Sequence, residues 1–532
     1  MIKKLISLMV VMLLAAACNG QEASDRAQDR EPANREGDRS TRIDERHQAV
    51  SPTIASSGED MPFEEERGGE RRAQPPADVE FRDYGENPFT HVEEDSLSTF
   101  AIDVDTGSYT VMRQWVSEGL VPPPESVRPE EYVNFFDQGY PAPDRDTFAV
   151  YADGGSTPWT DQSEDVVVRI GIKGRELAER VRPSVNLSFV VDVSGSMEQD
   201  GRLGLVKDSL EMLVNQLDRD DSISIVAYDT DAWVVLESTP GDDSRTVLAA
   251  IDELSPGGST NAEAGILLGY ELAAESFDVE SVNRVVLLSD GVANVGEEGP
   301  EGILEQIARE VNNGVSLLTV GVGLGNYNDV LMEQLADGAD GHYRYVDDLD
   351  EARRVFVDEL TGTLVTIAKD VKVQVDFDHE NVAWYRLIGF ENRDVADEDF
   401  RDERVDGGEI GAGHSVTALY QVELARGVSG DEPLAEVSVR WADPDRGGFD
   451  EVKGEVTVDL LSERWSEAST RFRLATTVAA YAEELRDGRY ATAYNMSDVA
   501  EEVDRLAEEI EDPDVWELSD LVSSVAGERG RG

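Results

Sequence analysis

The sequence predicts an α/β fold at its centre: a mainly parallel sheet with helices on both faces, flanked by a β-rich, sandwich-like region and C-terminal helices. Two patterns predict it. Between residues 185 and 361, short apolar runs alternate with stretches of helical periodicity, as in strand and helix units wound around a parallel sheet. Beyond residue 361 the runs become short and alternating, with turn residues between them, which is the texture of a sandwich.

The elements follow in order. Two strand-like runs, 148–152 and 166–172, precede the central region. The central strands are predicted at 187–191, 223–228, 285–288, 315–320 and 342–346. Leu203, Val206, Leu210, Leu213, Val214 and Leu217 recur at three- and four-residue spacing, the buried stripe of one helix. Val247, Leu248, Ile251 and Leu254 repeat that stripe, and Ile266, Leu267, Tyr270 and Leu272 do so less regularly. The β-rich region is predicted to hold strands at 371–377, 383–388, 415–424, 435–441 and 455–460, then helices at 469–486 and 497–511.

At 532 residues the chain has room for several domains and a sizeable core. Its formal charge is −65, from 112 acidic against 47 basic residues. Nucleic-acid binding needs the opposite sign, so no nucleic-acid partner is expected. So acidic a balance resembles that of halophile proteins, whose self-repulsion is screened by salt. Thermal stability is therefore expected to rise from dilute buffer to molar NaCl. A melting temperature that stays flat across that range would contradict the salt-adapted reading.

Lys3 and Lys4, the apolar run 5–14 and Ala15-Ala16-Ala17-Cys18 read as a targeting segment. This resembles a bacterial lipoprotein signal peptide, which implies lipidation at Cys18 and an anchored envelope protein. Asn19 follows the cysteine, where aspartate commonly directs retention at the inner membrane. The outer membrane or cell surface is therefore the expected location. Cys18 is the only cysteine, so no disulfide forms within this chain. Residues 19–80 are charged and poor in aromatics, and are expected to be a disordered tether.

The chemistry concentrates where the apolar run 187–191 ends in Asp192-Val193-Ser194-Gly195-Ser196. A carboxylate and two hydroxyls on a tight loop suit a hard divalent cation that takes oxygen ligands and keeps water. Gly257-Gly258-Ser259-Thr260-Asn261 brings further hydroxyls ahead of a helix. A second apolar strand ends in Ser289-Asp290-Gly291. These three segments, in this order, resemble the von Willebrand factor A domain and its metal-ion-dependent adhesion site. The resemblance implies that Asp192, Ser194, Ser196, Thr260 and Asp290 surround one ion, directly or through water. Mg²⁺ is expected first, with Mn²⁺ or Ca²⁺ as alternatives. It also implies a protein partner whose Asp or Glu side chain completes the coordination.

The flanks carry a second resemblance. Asn87-Pro88-Phe89, the run from Ser98 to Tyr109 and Arg128-Pro129-Glu130-Glu131-Tyr132-Val133-Asn134-Phe135-Phe136 are similar to the N-terminal region of the YfbK-like family of bacterial envelope proteins. Tyr385-Arg386-Leu387-Ile388-Gly389-Phe390 and the glycine-rich run from Asp406 to Tyr420 are similar to its C-terminal region. The expected domains are a signal peptide at 1–18, a tether at 19–80, an N-terminal region at 81–184, the A domain at 185–361, a β-rich region with terminal helices at 362–515 and a tail at 516–532.

Other constellations read as structural. Asp103-Val104-Asp105-Thr106-Gly107-Ser108 lacks the sixth-position glycine and twelfth-position glutamate of an EF-hand, so a strand and turn are expected. Asp443-Pro444-Asp445-Arg446-Gly447-Gly448 reads as a hairpin loop. The five histidines show no zinc spacing, and a structural hydrogen bond is expected for His414. Ser194 and Ser196 lack the flanking of a nucleophile elbow, and no phosphate loop is present, so no enzymatic activity is expected. The expected function is metal-dependent binding of a protein partner by a lipid-anchored envelope protein. The alternative is an assembly or regulatory subunit that uses the same site within an envelope complex.

Overall fold

The computed structural model describes residues 81–160, 165–177, 182–291, 299–323, 328–444, 446–491 and 495–529. The targeting segment with Cys18, and the tether at 19–80, lie outside the described residues. The first flank holds β1 (Thr90–His91), β2 (Leu97–Ala101), α1 (Gly107–Ser117), α2 (Pro129–Phe135), β3 (Phe148–Gly155) and β4 (Asp165–Gly174). The central region runs β5 (Val185–Asp192), α3 (Arg202–Val214), β6 (Ser222–Tyr228), β7 (Ala232–Pro240), α4 (Ser244–Glu253), α5 (Ala262–Glu275), β8 (Val282–Ser289), α6 (Gly299–Asn312), β9 (Val315–Val322), α7 (Asp329–Asp337) and β10 (His342–Val346). Two short helices, α8 (Leu349–Arg353) and α9 (Leu360–Leu364), lead out of it. The second flank holds β11 (Thr366–Phe377), β12 (Val382–Ile388), β13 (Gly408–Gly411), β14 (Ser415–Leu424), β15 (Pro433–Ala442), β16 (Phe449–Thr457) and β17 (Leu461–Ser462), then α10 (Thr470–Leu485), α11 (Met496–Ile510) and α12 (Pro513–Arg529).

The central sheet has the order β10-β9-β8-β5-β6-β7. All its pairings are parallel except that of the edge strand β7 with β6. Side chains on β5 alternate between two cores, as a strand buried on both faces requires. Leu187, Phe189 and Val191 meet α3 and α4 through Val206, Leu210 and Val247. Val190 faces the opposite way, toward Ile266 and Tyr270 of α5. The chain leaves β5 toward β6 on one side and returns to β8 on the other. The carboxyl ends of β5 and β8 therefore flank the switch point, where open α/β sheets bind ligands.

The two flanks, which the sequence reading keeps apart as 81–184 and 362–515, share their sheets. One sheet has the order β1-β12-β14-β4-β3-β17, and the other β13-β11-β15-β16, with β2 also paired to β11. The sheets face each other across Val168, Ile170, Val416, Tyr420, Val373 and Val437. Val167 and Leu419, on the outer face of the first sheet, pack with Phe472, Ala475 and Val478 of α10. The central region is thus an insertion between strands that pair with one another. Pairing of residues as distant as Val373 and Phe100 leaves no local signature in the chain.

Buried ion pairs tie the insertion to its frame. Arg393 of the second flank meets Asp103 and Asp105 of the first, and Glu333 and Asp337 of α7. Asp105 also accepts a hydrogen bond from the Tyr343 backbone N–H of β10. The two aspartates that invited a calcium reading are therefore held by arginine and backbone, and helix α1 starts just after them. On the opposite side Arg113 of α1 binds Asp347 and Glu351, just beyond β10, and Glu517 of α12.

Several elements correct the sequence expectations. Residues 516–532, expected to be a tail, belong largely to α12, which buries Val515, Leu518, Val522 and Val525. The strand expected at 455–460 is β16, displaced toward the N-terminus, with a 3₁₀ turn at Val458–Leu460. Its polar run Asp450-Glu451-Val452-Lys453 conceals an edge strand that pairs with β15 across the expected hairpin loop. Strand β7 is not among the strands predicted: its apolar run Ala232–Leu236 is only half-buried, as suits an edge strand, and its second half is exposed. Helices α6 and α7 are also not among those predicted: α6 buries only a thin stripe with Ile303 and Ile307, and α7 is short, burying Leu331, Met332, Leu335 and Ala336 within nine residues.

Candidate metal site

Asp192 is the last residue of β5 and is 0 % exposed. Its Oδ1 accepts the Ser194 backbone N–H at 2.8 Å. Its Oδ2 accepts the Ser289 hydroxyl at 2.8 Å and the Tyr228 hydroxyl at 3.2 Å. These donors lie at the ends of the two neighbouring strands, so the carboxylate is oriented by the sheet itself. Burial, and next the charge of Asp290, push the Asp192 carboxyl up to about 6. The Ser194 and Ser196 hydroxyl oxygens lie 3.0 Å apart, with Ser194 buried and Ser196 half-buried. The site therefore opens to solvent on the Ser196 side.

Asp290 follows β8 and is also 0 % exposed. Its Oδ2 accepts a hydrogen bond from an Arg202 guanidinium nitrogen at 2.7 Å. Its Oδ1 is buried with no hydrogen-bond partner among the described residues. A buried, unpartnered carboxylate oxygen is costly unless another group satisfies it.

The glycine loop joins the site through its backbone. The Gly257 N–H donates to the Val193 carbonyl at 2.7 Å, and the Gly195 N–H donates to the Gly258 carbonyl at 3.2 Å. A side chain at Gly258 would strike the Asp229 carboxylate, and its φ of +76° is left-handed, so glycine is required there. Asn261 caps α5 by accepting the Ala264 N–H. This arrangement carries Thr260, 8 % exposed, to the same end of the sheet.

All five residues singled out from the sequence thus lie on three loops at one end of the sheet. The donor set of two carboxylates and three hydroxyls fits a hard dication. It presents two buried carboxylates, with the charge of Asp290 near enough to raise Asp192, and one orphaned oxygen. Among the described residues no group of three or more His, Cys, Asp or Glu converges on a metal-sized space. A site here would rely on hydroxyls and water to complete its shell. Sequence reasoning missed Ser289, Tyr228 and Arg202. The serine, immediately before Asp290, was within reach of a reading for second-layer donors; the other two become neighbours only through folding. The side-chain hydrogen bond expected for His414 is not found among the described residues, where both ring nitrogens are buried without a hydrogen-bond partner.

Comparison with known proteins gives this geometry a family. Residues 186–358 match the von Willebrand factor type A domain family. Residues 75–167 match the family described as von Willebrand factor, and residues 362–526 match the C-terminal family of the uncharacterized protein YfbK. The chain is 37% identical over 443 residues to the uncharacterized protein YfbK of Escherichia coli (strain K12), covering 78% of this chain and 75% of that one. It is 28% identical over 195 residues to the human inter-alpha-trypsin inhibitor heavy chain H3, covering 34% of this chain and 21% of that one. Among solved structures, a von Willebrand factor type A protein from Catenulispora acidiphila matches with a TM-score of 0.40 and 16% identity, covering 70% of this chain and 89% of that one. Proximal thread matrix protein 1 from the mussel byssus, solved with a zinc-occupied adhesion motif, matches with a TM-score of 0.28 and 21% identity, covering 33% of this chain and 45% of that one. The chain belongs to the YfbK family and carries a von Willebrand factor type A domain at its centre.

Proposed function

We propose that the protein binds an acidic side chain of a protein partner through a divalent cation held by Asp192, Ser194, Ser196, Thr260 and Asp290. The observation that carries this reading is the pair of fully buried aspartates at the switch point, one with an unpartnered oxygen. The two carboxylates offset most of a dication's charge, and the three hydroxyls add ligands without adding charge. The ion supplies a Lewis-acidic position that accepts a carboxylate oxygen. Mg²⁺ suits this oxygen-rich, water-retaining set first, with Mn²⁺ or Ca²⁺ as alternatives. The chain's own residues orient the ion and present it on the half-exposed Ser196 side. This is a binding role and needs no catalytic group. A pull-down from envelope extract tests it: the wild type retains a partner in Mg²⁺ but not in chelator, and Asp192→Ala retains none. Equal retention by both proteins would refute the reading.

We further propose that the mature chain is tethered to the cell envelope by lipid on Cys18. No helix among the described residues is long and apolar enough to cross a membrane. Several acyl chains together hold a protein stably at a bilayer where one does not. Cys18→Ser is expected to move the protein from the membrane fraction to the soluble one after a salt wash. A variant that stays with the membrane would place the anchor elsewhere.

A further inference from the structure

Arg202 opens helix α3, eight residues after Ser194, and its side chain is 4 % exposed. It turns inward and donates to Asp290 Oδ2 at 2.7 Å. Among the described residues its Nε has no hydrogen-bond partner, and its other ion pair is a longer one, 3.8 Å to the exposed Asp200. Gly323, just past β9, makes room for it: a Cβ there would lie 2.3 Å from the Arg202 Nε. A cation is thus built into the wall of a site whose other fully buried charged groups, Asp192 and Asp290, are acids.

We propose that Arg202 is a positioning residue that sets the charge of the metal site. This rests on the metal-binding reading above. Without Arg202, two carboxylates and a dication sum to zero. With it, the loaded site carries one net positive charge. That surplus lowers affinity for the metal and raises affinity for an incoming carboxylate, because both effects follow the sign of the same nearby charge. Arg202 also occupies one oxygen of Asp290, so Oδ1 alone faces the site. The device makes the loaded site selective for anionic ligands over neutral ones such as amides or hydroxyls.

The test uses Mn²⁺ as the ion and acetate as the carboxylate probe, with acetamide as the neutral control. Electron paramagnetic resonance gives the Mn²⁺ affinity. Paramagnetic relaxation of the probe's methyl protons gives its affinity for the loaded protein. Arg202→Gln is expected to bind Mn²⁺ about tenfold more tightly and acetate about tenfold more weakly, with acetamide unchanged. Arg202→Lys, which keeps the charge, should stay near the wild type in both. Removing one partner of a buried pair is destabilising. Should Arg202→Gln unfold without metal, Asp290→Asn and the double variant Asp290→Asn/Arg202→Gln carry the comparison. The double variant must then bind Mn²⁺ at least tenfold more tightly than Asp290→Asn, in which a single carboxylate and the unpaired Arg202 charge leave the ion weakly held or unbound. Unchanged Mn²⁺ and acetate affinities on loss of Arg202, or equal affinities in that pair, would overturn the charge-setting role alone. A wild type that binds no Mn²⁺ would overturn the metal site and this inference together.

Discussion

Asp192→Asn is expected to fold without metal and to lose the stability that Mg²⁺ confers on the wild type. The substitution keeps the shape of the side chain and an oxygen that accepts the Ser289 and Tyr228 hydroxyls, but its amide nitrogen replaces the oxygen that accepts the Ser194 backbone N–H. It removes a buried charge that Asp290 already disfavours. Relief of that buried charge opposes the loss of the Ser194 hydrogen bond, which costs about 1–3 kcal/mol, so the metal-free variant should stay folded with a stability near that of the metal-free wild type. An ion that binds the folded state alone stabilises it by about 2.7 kcal/mol at a hundredfold excess over its dissociation constant. The wild type should show that increment at saturating Mg²⁺. The variant should show none beyond ionic strength, because one remaining carboxylate, itself paired with Arg202, leaves the dication uncompensated. Urea titrations with Mg²⁺ and with NaCl at matched ionic strength decide the matter. An equal Mg²⁺ increment in both proteins would mean that the ion acts on the acidic surface at large.

The legible and illegible parts of this site differ in physical kind. Asp192 and Asp290 stand out because each interrupts an apolar run where a parallel strand must end. Thr260 stands out because glycines and a helix cap surround it. All of these are local signals, written within a few residues of the functional group. Arg202 and Tyr228 sit within ordinary amphipathic or apolar stretches, and their roles come from neighbours on other elements. The fold divides the same way. Periodicity reveals β5, β6, β8, β9 and β10, and the buried stripes of α3 and α4. It does not reveal β7, whose outer face is solvated, or the joining of the two flanks through the β2 and β4 pairings. Those pairings are fixed by long-range complementarity, and they make the A domain an insertion in a frame.

That frame carries an expected effect of pH on stability. His414, just before β14, is 11 % exposed as a side chain, and both its ring nitrogens are buried without a hydrogen-bond partner among the described residues. Burial first, then the charges of Arg344, Lys173 and Arg284, push its imidazole down to about 3. The nearby His342 ring is pushed down for the same main reason, and the half-exposed Glu359 carboxylate, 4.0 Å away, does not offset this. The folded state thus holds His414 neutral, while the unfolded chain protonates it near 6.5. A depressed folded-state value means that this stability is fully present above 6.5 and is lost as the pH falls from there toward 3. Protonation linkage puts the loss at about 2 kcal/mol by pH 5 and at most about 5 kcal/mol by pH 3. His414→Gln does not titrate in this window, so its stability should decline less steeply on acidification. Buried carboxyls whose values are raised, such as Glu130 at about 8, act in the opposite direction but equally in both proteins. The measurement is the difference in unfolding free energy between wild type and His414→Gln at pH 7.5 and at pH 5. That difference should shift against the wild type by about 2 kcal/mol. Parallel pH profiles would show that the imidazole is protonated within the fold, and that the junction between the flank and the A domain is wetter than its packing implies.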